Sequence, residues 1–354
     1  MTSRERFLAA LRHEEGDRIP IADTPWQTTI DRWHREGLPE DQSPFDYFGY
    51  EWAGQGAELS FQLPVETLEE DETSKIVTDG FGATTRVLKH SESVPELIDY
   101  KILDRRAWEE HKPLLAWNDS RVDWENGIAG NRALRERGLF IPYAAGFGYD
   151  RIMRFAGAPR ILEAMLDAPA WVSDMMDTIA ETVIVGCREM IARGFQFDGA
   201  FVWNDMAYRN GPFFSPATFR KLEFPAQKRM CDFFHGQGLP VILHTDGDVR
   251  PLIPMLIEAG FDCLQPVEVK AGMDLIELKR DFGDRLAFMG GIDVRAMAHP
   301  DPTVIEREIS TKIPVAKRGG GYIYHSDHSV PDNVSFEQYR RVMALVAKHG
   351  KYDP

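Results

Sequence analysis

From Gly138 onward, short apolar runs alternate with amphipathic stretches, and that order predicts parallel strands joined by helices. The strand-like runs are Leu139 to Ala145, Phe197 to Trp203, Leu239 to Leu243, Phe261 to Gln265, Leu286 to Met289 and Gly321 to Tyr324. Between them, Ile161 to Ile191, Pro216 to His235, Val249 to Ala259, Asp274 to Asp281 and Pro302 to Lys317 carry helical spacing. Upstream, Phe7, Leu8 and Leu11 mark a first helix capped by Ser3 and stopped by Gly16, and Asp17 to Ala22 reads as the first strand. With right-handed crossovers and one further strand expected between Leu162 and Arg193, the economical fold is α/β, a closed (β/α)8 TIM-type barrel.

The segment from about 24 to 100 breaks this rhythm. Residues 24–46 mix Trp, Pro and charge without period and predict short helices and loops. Leu59 to Lys89 alternates apolar and polar residues around Asp79-Gly80, a β-hairpin signature. The acidic run Glu69-Glu70-Asp71-Glu72 reads as a solvated hairpin edge, where charge discourages edge pairing. With no repeat or Pro/Gly/Ser-rich linker, residues 1–354 form a single domain with an N-terminal helical and hairpin elaboration.

Composition narrows the function. A formal charge of −15 gives a surface that repels nucleic acid and anionic membrane, both of which are bound through Lys and Arg clusters. Cys187, Cys231 and Cys263 show no CxxC spacing, which argues against a disulfide framework and a thiolate zinc ribbon and suits a reducing cytoplasm. No apolar run approaches the roughly 18 residues of a membrane span, and residues 1–6 lead into an amphipathic stretch instead of a signal core.

His244-Thr245-Asp246-Gly247 closes the apolar run Leu239–Leu243, so an imidazole and a carboxylate two residues apart leave the strand on one face. Glu268, Asp293 and the group His325, Asp327, His328 follow other strands, where a barrel gathers its chemistry. Zinc accepts such N and O donors, and the expected ligands are His244, Glu268 and His328, with Asp246 either ligating or orienting an imidazole. The plainer alternative is that His244 and Asp246 only satisfy hydrogen bonds at a strand end. Asp205 is placed as general acid/base or substrate anchor, with Trp203, Tyr208 and Asp293 lining the pocket. Tyr143 to Arg151, with Phe147 and Asp150, reads as a mobile βα loop touching substrate, although turn chemistry alone accounts for its glycines. Trp26, Trp33 and Trp52 either pack or wall a pocket entrance. Without a Gly-x-Ser-x-Gly elbow, and with no partner adjacent to the three cysteines in sequence, nucleophilic acyl chemistry has little support.

Phe214-Ser215-Pro216, Leu243-His244-Thr245-Asp246-Gly247, Met289-Gly290-Gly291-Ile292-Asp293, Gly320-Gly321-Tyr322-Ile323, and Tyr339 with Gly350-Lys351-Tyr352 together resemble the uroporphyrinogen decarboxylase superfamily, from Asp17-Arg18-Ile19-Pro20 almost to the C-terminus. The resemblance implies a distorted (β/α)8 barrel with its site at the strand carboxyl ends. True decarboxylases of the superfamily use no cofactor and carry an Arg-rich N-terminal signature, where this chain reads Ala22-Asp23-Thr24-Pro25-Trp26-Gln27. The other branch is similar to zinc methyltransferases that serve corrinoid proteins through a His-x-Cys pair and a later Cys. His244 matches their histidine, while Asp246 and His328 stand where the thiolates would be. The resemblance therefore implies a zinc-dependent methyltransferase that moves a methyl group from a small, methoxylated aromatic donor to a corrinoid protein (an O-demethylation). The alternatives are a cofactor-free decarboxylase and a corrinoid-binding module without turnover, and pairing into a homodimer is left open.

Overall fold

Val241, Ile242 and Leu243 have no exposed surface, which is how a continuous apolar run behaves when a parallel strand is covered on both faces. In the computed structural model, which describes residues 1–89 and 95–352, six such strands lie side by side in chain order: Pro142–Gly146, Gly199–Trp203, Val241–His244, Cys263–Gln265, Ala287–Met289 and Tyr322–Ile323. Every pairing among them is parallel.

Two further segments close the sheet. Ala22 N donates to Tyr324 O at 3.0 Å and Tyr324 N to Pro20 O at 3.0 Å, which adds residues 20–22 at one edge. Glu51 N donates to Ile21 O at 2.9 Å, while Phe140 N to Glu51 O and Ala53 N to Phe140 O, both 3.0 Å, join residues 51–55 to the opposite edge. Six strands and these two segments complete the ring of eight expected from the chain. One expectation is corrected: no strand lies between Leu162 and Arg193, which instead belong to the helices Ala158–Asp167 and Pro169–Ala192. The missing strand is 51–55, inside the stretch assigned to the elaboration. Its irregular pairing, seen as isolated bridges at Trp52 and Gln55, explains why it has no clean alternation.

The first helix, Ser3–Leu11, is capped by Thr2 in place of Ser3, in a capping box with Glu5. Its Phe7, Ala10 and Leu11 plug one end of the barrel, packing on the inward residues Ala22, Phe140, Ile242, Cys263, Ala287, Met289 and Ile323. That plug leaves the other end, at the strand carboxyl ends, as the open one.

The elaboration is a four-stranded antiparallel sheet, Thr67–Glu70, Ser74–Thr78, Thr84–Leu88 and Glu96–Asp99. Residues 90–94 of the elaboration lie outside the described residues. The expected turn is present, with Asp79 accepting from the amides of Phe81 and Ala83 at 2.9 and 3.0 Å. The acidic run begins on the edge strand, which is wholly exposed. Phe81 at that turn stacks on Phe155, and Asp79 pairs with Arg154 at 3.0 Å, so the sheet is docked against the helix Gly148–Ala156. No helix among the described residues is long and apolar enough to cross a membrane.

Candidate functional site

Side chains alternate along a strand, so the plugged interior also fixes what faces the open end. Ile242, Cys263 and Ile323 point inward, with Phe201 packed against them, and two residues further on so do His244, Gln265, His325 and Trp203. These four border a cavity of about 390 Å³ together with Thr24, Trp52, Phe201, Asp246, Pro266, His328 and Ser329. Apolar walls with a few convergent polar groups make it the candidate active site.

Hydrogen bonds fix the state of His244. Its Nδ1 meets Gln265 Oε1, which can only accept, so Nδ1 carries the proton. Gln265 Nε2 in turn lies 3.5 Å from His325 Nε2, and His325 Nδ1 donates to Ser326 O at 2.6 Å. His325 is backed by Asp23, whose Oδ1 is 3.7 Å from Nδ1 and which accepts from Ser326 Oγ, from Tyr339 Oη at 2.6 Å and from Tyr324 Oη at 3.3 Å. Burial lowers the His325 pKa and so keeps this ring neutral. In the neutral ring, His244 Nε2 is thereby left with the lone pair.

That lone pair faces carboxylates. Nε2 is 3.6 Å from Asp205 Oδ1 and 4.0 Å from Asp246 Oδ2, and His328 Nε2 is 3.8 Å from the same Asp246 oxygen. These separations exceed a hydrogen bond but match the roughly 3–4 Å between ligand atoms around one tetrahedral zinc. Asp205, His244 and Asp246 offer donor atoms that all lie within 4.8 Å of one another. Asp246 Oδ1 is buried without a partner, a cost that a bound cation would relieve. Burial alone would lower the His244 pKa, yet Asp246, Asp205 and the Gln265 acceptor overturn that and raise it. Burial, with Asp205, also raises the Asp246 carboxyl against the opposing pull of His244. The cleft attracts positive charge, and its donor set fits a divalent ion.

The expected residues divide on this geometry. His244, Asp246, His328 and Trp203 border the cavity, and Asp205 joins the donor cluster where Glu268 was expected. Glu268 stands behind: its Oε2 accepts from Gly247 N at 2.6 Å and its Oε1 pairs with Lys270 at 2.9 Å, which pins the turn that carries Asp246. Asp327 accepts from Val269 N and Val294 N at 3.0 and 2.9 Å and ties two loops together. Three expected pocket residues lie elsewhere. Asp293 caps a short helix and is held by Arg295, Tyr208 is 57% exposed on a two-residue strand, and Phe147 is buried in the core. Trp52 does wall the cavity, Trp26 sits edge-on to His328, and Trp33 is core. Gln265 and Asp23 were missed. For Gln265 the available signal was parity, since it stands two residues beyond inward Cys263 as His244 does beyond Ile242; Asp23 has the opposite parity to inward Ala22 and left no such signal.

The expected mobile loop at 143–151 is instead a strand running directly into the helix Gly148–Ala156. Buried Asn204 and Glu223 hold the junction: Asn204 Nδ2 and Tyr149 N both donate to Glu223 Oε1, at 2.7 and 2.8 Å, and Asp150 N donates to Asn204 Oδ1 at 3.1 Å. Burial pushes the Glu223 carboxyl up to about 7, and burial with Asp205 pushes Asp150 up to about 6. Glu223 Oε2 and Gln227 Oε1 are both buried acceptors without a donor, which a proton on Glu223 would satisfy. A raised carboxyl pKa binds its proton more tightly folded than unfolded, so stability falls as the pH rises from 4.5 to about 7 and stays lower above that. Glu223→Gln is therefore expected to gain up to about 3 kcal/mol on wild type between about pH 5 and about pH 8. Urea unfolding at both pH values checks this, and a difference that does not change with pH would refute it.

With the site in view, relatives can be compared. A family model described as uroporphyrinogen decarboxylase (URO-D) matches residues 153–349. A uroporphyrinogen decarboxylase from Pectobacterium carotovorum is 26% identical over 176 residues, covering 49% of this chain and 47% of its own. Another from Hydrogenovibrio crunogenus is 24% identical over 183 residues, covering 50% and 48%. The chain thus spans about half the length of the curated relatives it matches. Among solved structures, a methyltransferase from Methanosarcina mazei superposes with a TM-score of 0.70 at 15% identity, covering 98% of this chain and 99% of that one. At that identity the likeness shows a shared fold.

Proposed function

Because this chain belongs to the uroporphyrinogen decarboxylase family, we propose that it is a zinc-dependent methyltransferase that passes the methyl group of a small methoxylated aromatic donor to a corrinoid protein. The observation that carries this reading is the gathering of donor atoms from Asp205, His244 and Asp246 beside an aromatic cavity that His244 and Asp246 line, with Asp246 Oδ1 buried and unpartnered. His244, Asp205 and Asp246 would hold the zinc, with His328 beside Asp246. When bound, the metal supplies Lewis acidity toward the ether oxygen of the donor.

The chain's own residues do the rest. Gln265 and His325 keep His244 in the Nδ1–H tautomer, so its Nε2 lone pair is available. Trp52, Phe201 and Trp203 form apolar walls that suit an aromatic ring and exclude water around the methoxy carbon. The C–O bond breaks as the methyl group moves to the acceptor, and the departing aryloxide keeps the bonding pair. Protein loaded with zinc is expected to bind about one ion per chain and to release a phenol from a methoxyarene only when a reduced corrinoid protein is present. Absence of zinc binding, or of phenol under those conditions, would end this reading.

A second reading is decarboxylation of a uroporphyrinogen-type substrate, favoured by the names of the two relatives above. Against it, none of the cavity-lining residues is Arg or Lys, whereas an octacarboxylate needs several cations. Carbon dioxide release from uroporphyrinogen by metal-free protein would decide for it.

A further inference from the structure

Arg151 is a buried cation that makes no ion pair with a described residue, although Asp150, Glu58 and Asp79 lie near enough to favour its charge. It is 8% exposed, its side chain makes no hydrogen bond to any described residue, and its Nε is buried without a partner. Its guanidinium lies 4.4 Å from the Phe81 ring centroid and 5.8 Å from that of Trp203. Burial lowers its pKa to about 10, with Asp150 opposing, so it is charged at neutral pH. An unpaired buried guanidinium is costly, and evolution of a protein without a use for it would be expected to remove it or pair it.

Its position supplies the use. Gly146 closes the strand Pro142–Gly146 in register with Trp203, which is itself paired with His244. A side chain on Gly146 would meet Arg151 Nη2 and lie 2.7 Å from Trp203 Nε1, so the missing side chain is what lets both nitrogens gather there. Trp203 Nε1 also makes no hydrogen bond to a described residue, and its ring borders the cavity. Trp203 borders the cavity one strand from His244, and Arg151, outside the lining residues, adjoins Trp203 Nε1 across Gly146, so two donors, one charged, stand side by side at this strand end.

We propose that Arg151 and Trp203 Nε1 form an anion subsite that takes the carboxylate of the substrate, which makes the donor a methoxylated aromatic acid. This rests on the methyl-transfer reading for the methoxy end only. A guanidinium fork matches a carboxylate, the aromatic ring spans toward Trp52 and Phe201, and the methoxy group reaches the His244 cluster. The same subsite accounts for one carboxylate where a porphyrinogen carries eight.

Metal-free protein should be titrated with meta-methoxybenzoate and with its uncharged counterpart meta-methoxybenzyl alcohol, following tryptophan fluorescence. The acid is expected to bind at least about tenfold tighter, against the repulsion of Asp150, Asp205 and Asp246. Arg151→Met, which keeps the stem against Phe81, should abolish that preference, and Arg151→Lys should keep part of it. Trp203→Phe, which keeps the wall and deletes one donor, should reduce it even if Arg151→Met does not fold. Equal affinity for the two ligands, binding of neither, or a preference that survives Arg151→Met would overturn the subsite. A preference that stands in protein lacking zinc binding and methyl transfer would retire the reaction and leave the subsite.

Discussion

His244→Ala is expected to lower zinc affinity on the order of 100-fold or more and to abolish methyl transfer, measured by metal content after dialysis and by phenol release. The physical reason is that His244 supplies the only lone pair in the cluster whose availability the fold enforces, through Gln265 on its other nitrogen. Removing it also leaves Asp205 and Asp246 facing each other without the group that most lowers the Asp246 pKa, with only His328 still opposing. Gln265→Ala makes a graded comparison. It deletes no ligand and only frees the ring, so a fall of about 10- to 100-fold in affinity is expected, the usual cost of losing a partner that orients a ligand. Equal zinc content in wild type and His244→Ala would remove His244 from the site. An unchanged Gln265→Ala would mean that the ring is oriented by its walls alone.

Gly290→Ala is expected to carry the largest cost to stability, about 3 kcal/mol or more, read from urea unfolding. Gly290 follows the strand Ala287–Met289 with φ +124°, and a Cβ there would run into Pro266 O and sit 2.7 Å from the Pro266 carbonyl carbon. Pro266 follows Gln265, and its carbonyl accepts from Gly291 N at 2.9 Å, so the clash would part the two strand ends that carry the His244 support. Gly37→Ala separates the two contributions. Gly37 has φ +115° with nothing within 4 Å of a Cβ, so it reports the backbone strain alone, about 1 kcal/mol. If the two variants cost the same, the close approach at Pro266 does not hold.

Much of this molecule was legible in the chain because its signals are local. Apolar runs of four to seven residues marked all six parallel strands, and Asp79-Gly80 marked the hairpin, since burial on both faces and turn chemistry each leave a pattern within a few residues. The segment 51–55 was not legible. It joins the barrel through a few backbone bonds to Ile21, Phe140 and Pro142, partners whose identity is set by ring closure and not by its own sequence.

The site divides in the same way. Period two along a strand was enough to put His244 and Asp246 on one face, and the order of elements was enough to place that face at the strand carboxyl ends. What the sequence could not decide was which acid meets the imidazole. Glu268 and Asp205 both follow strands adjacent to that of His244, one on each side, and only the turn geometry sends Glu268 back to Gly247 N while Asp205 stays in the cluster. The sequence by itself determined the order of elements and the face each strand end presents, because those depend on neighbours in the chain. The tertiary structure decided which acids gather beside His244, the His244 tautomer and the placement of Arg151, because those depend on distances between residues brought together only by closing the barrel.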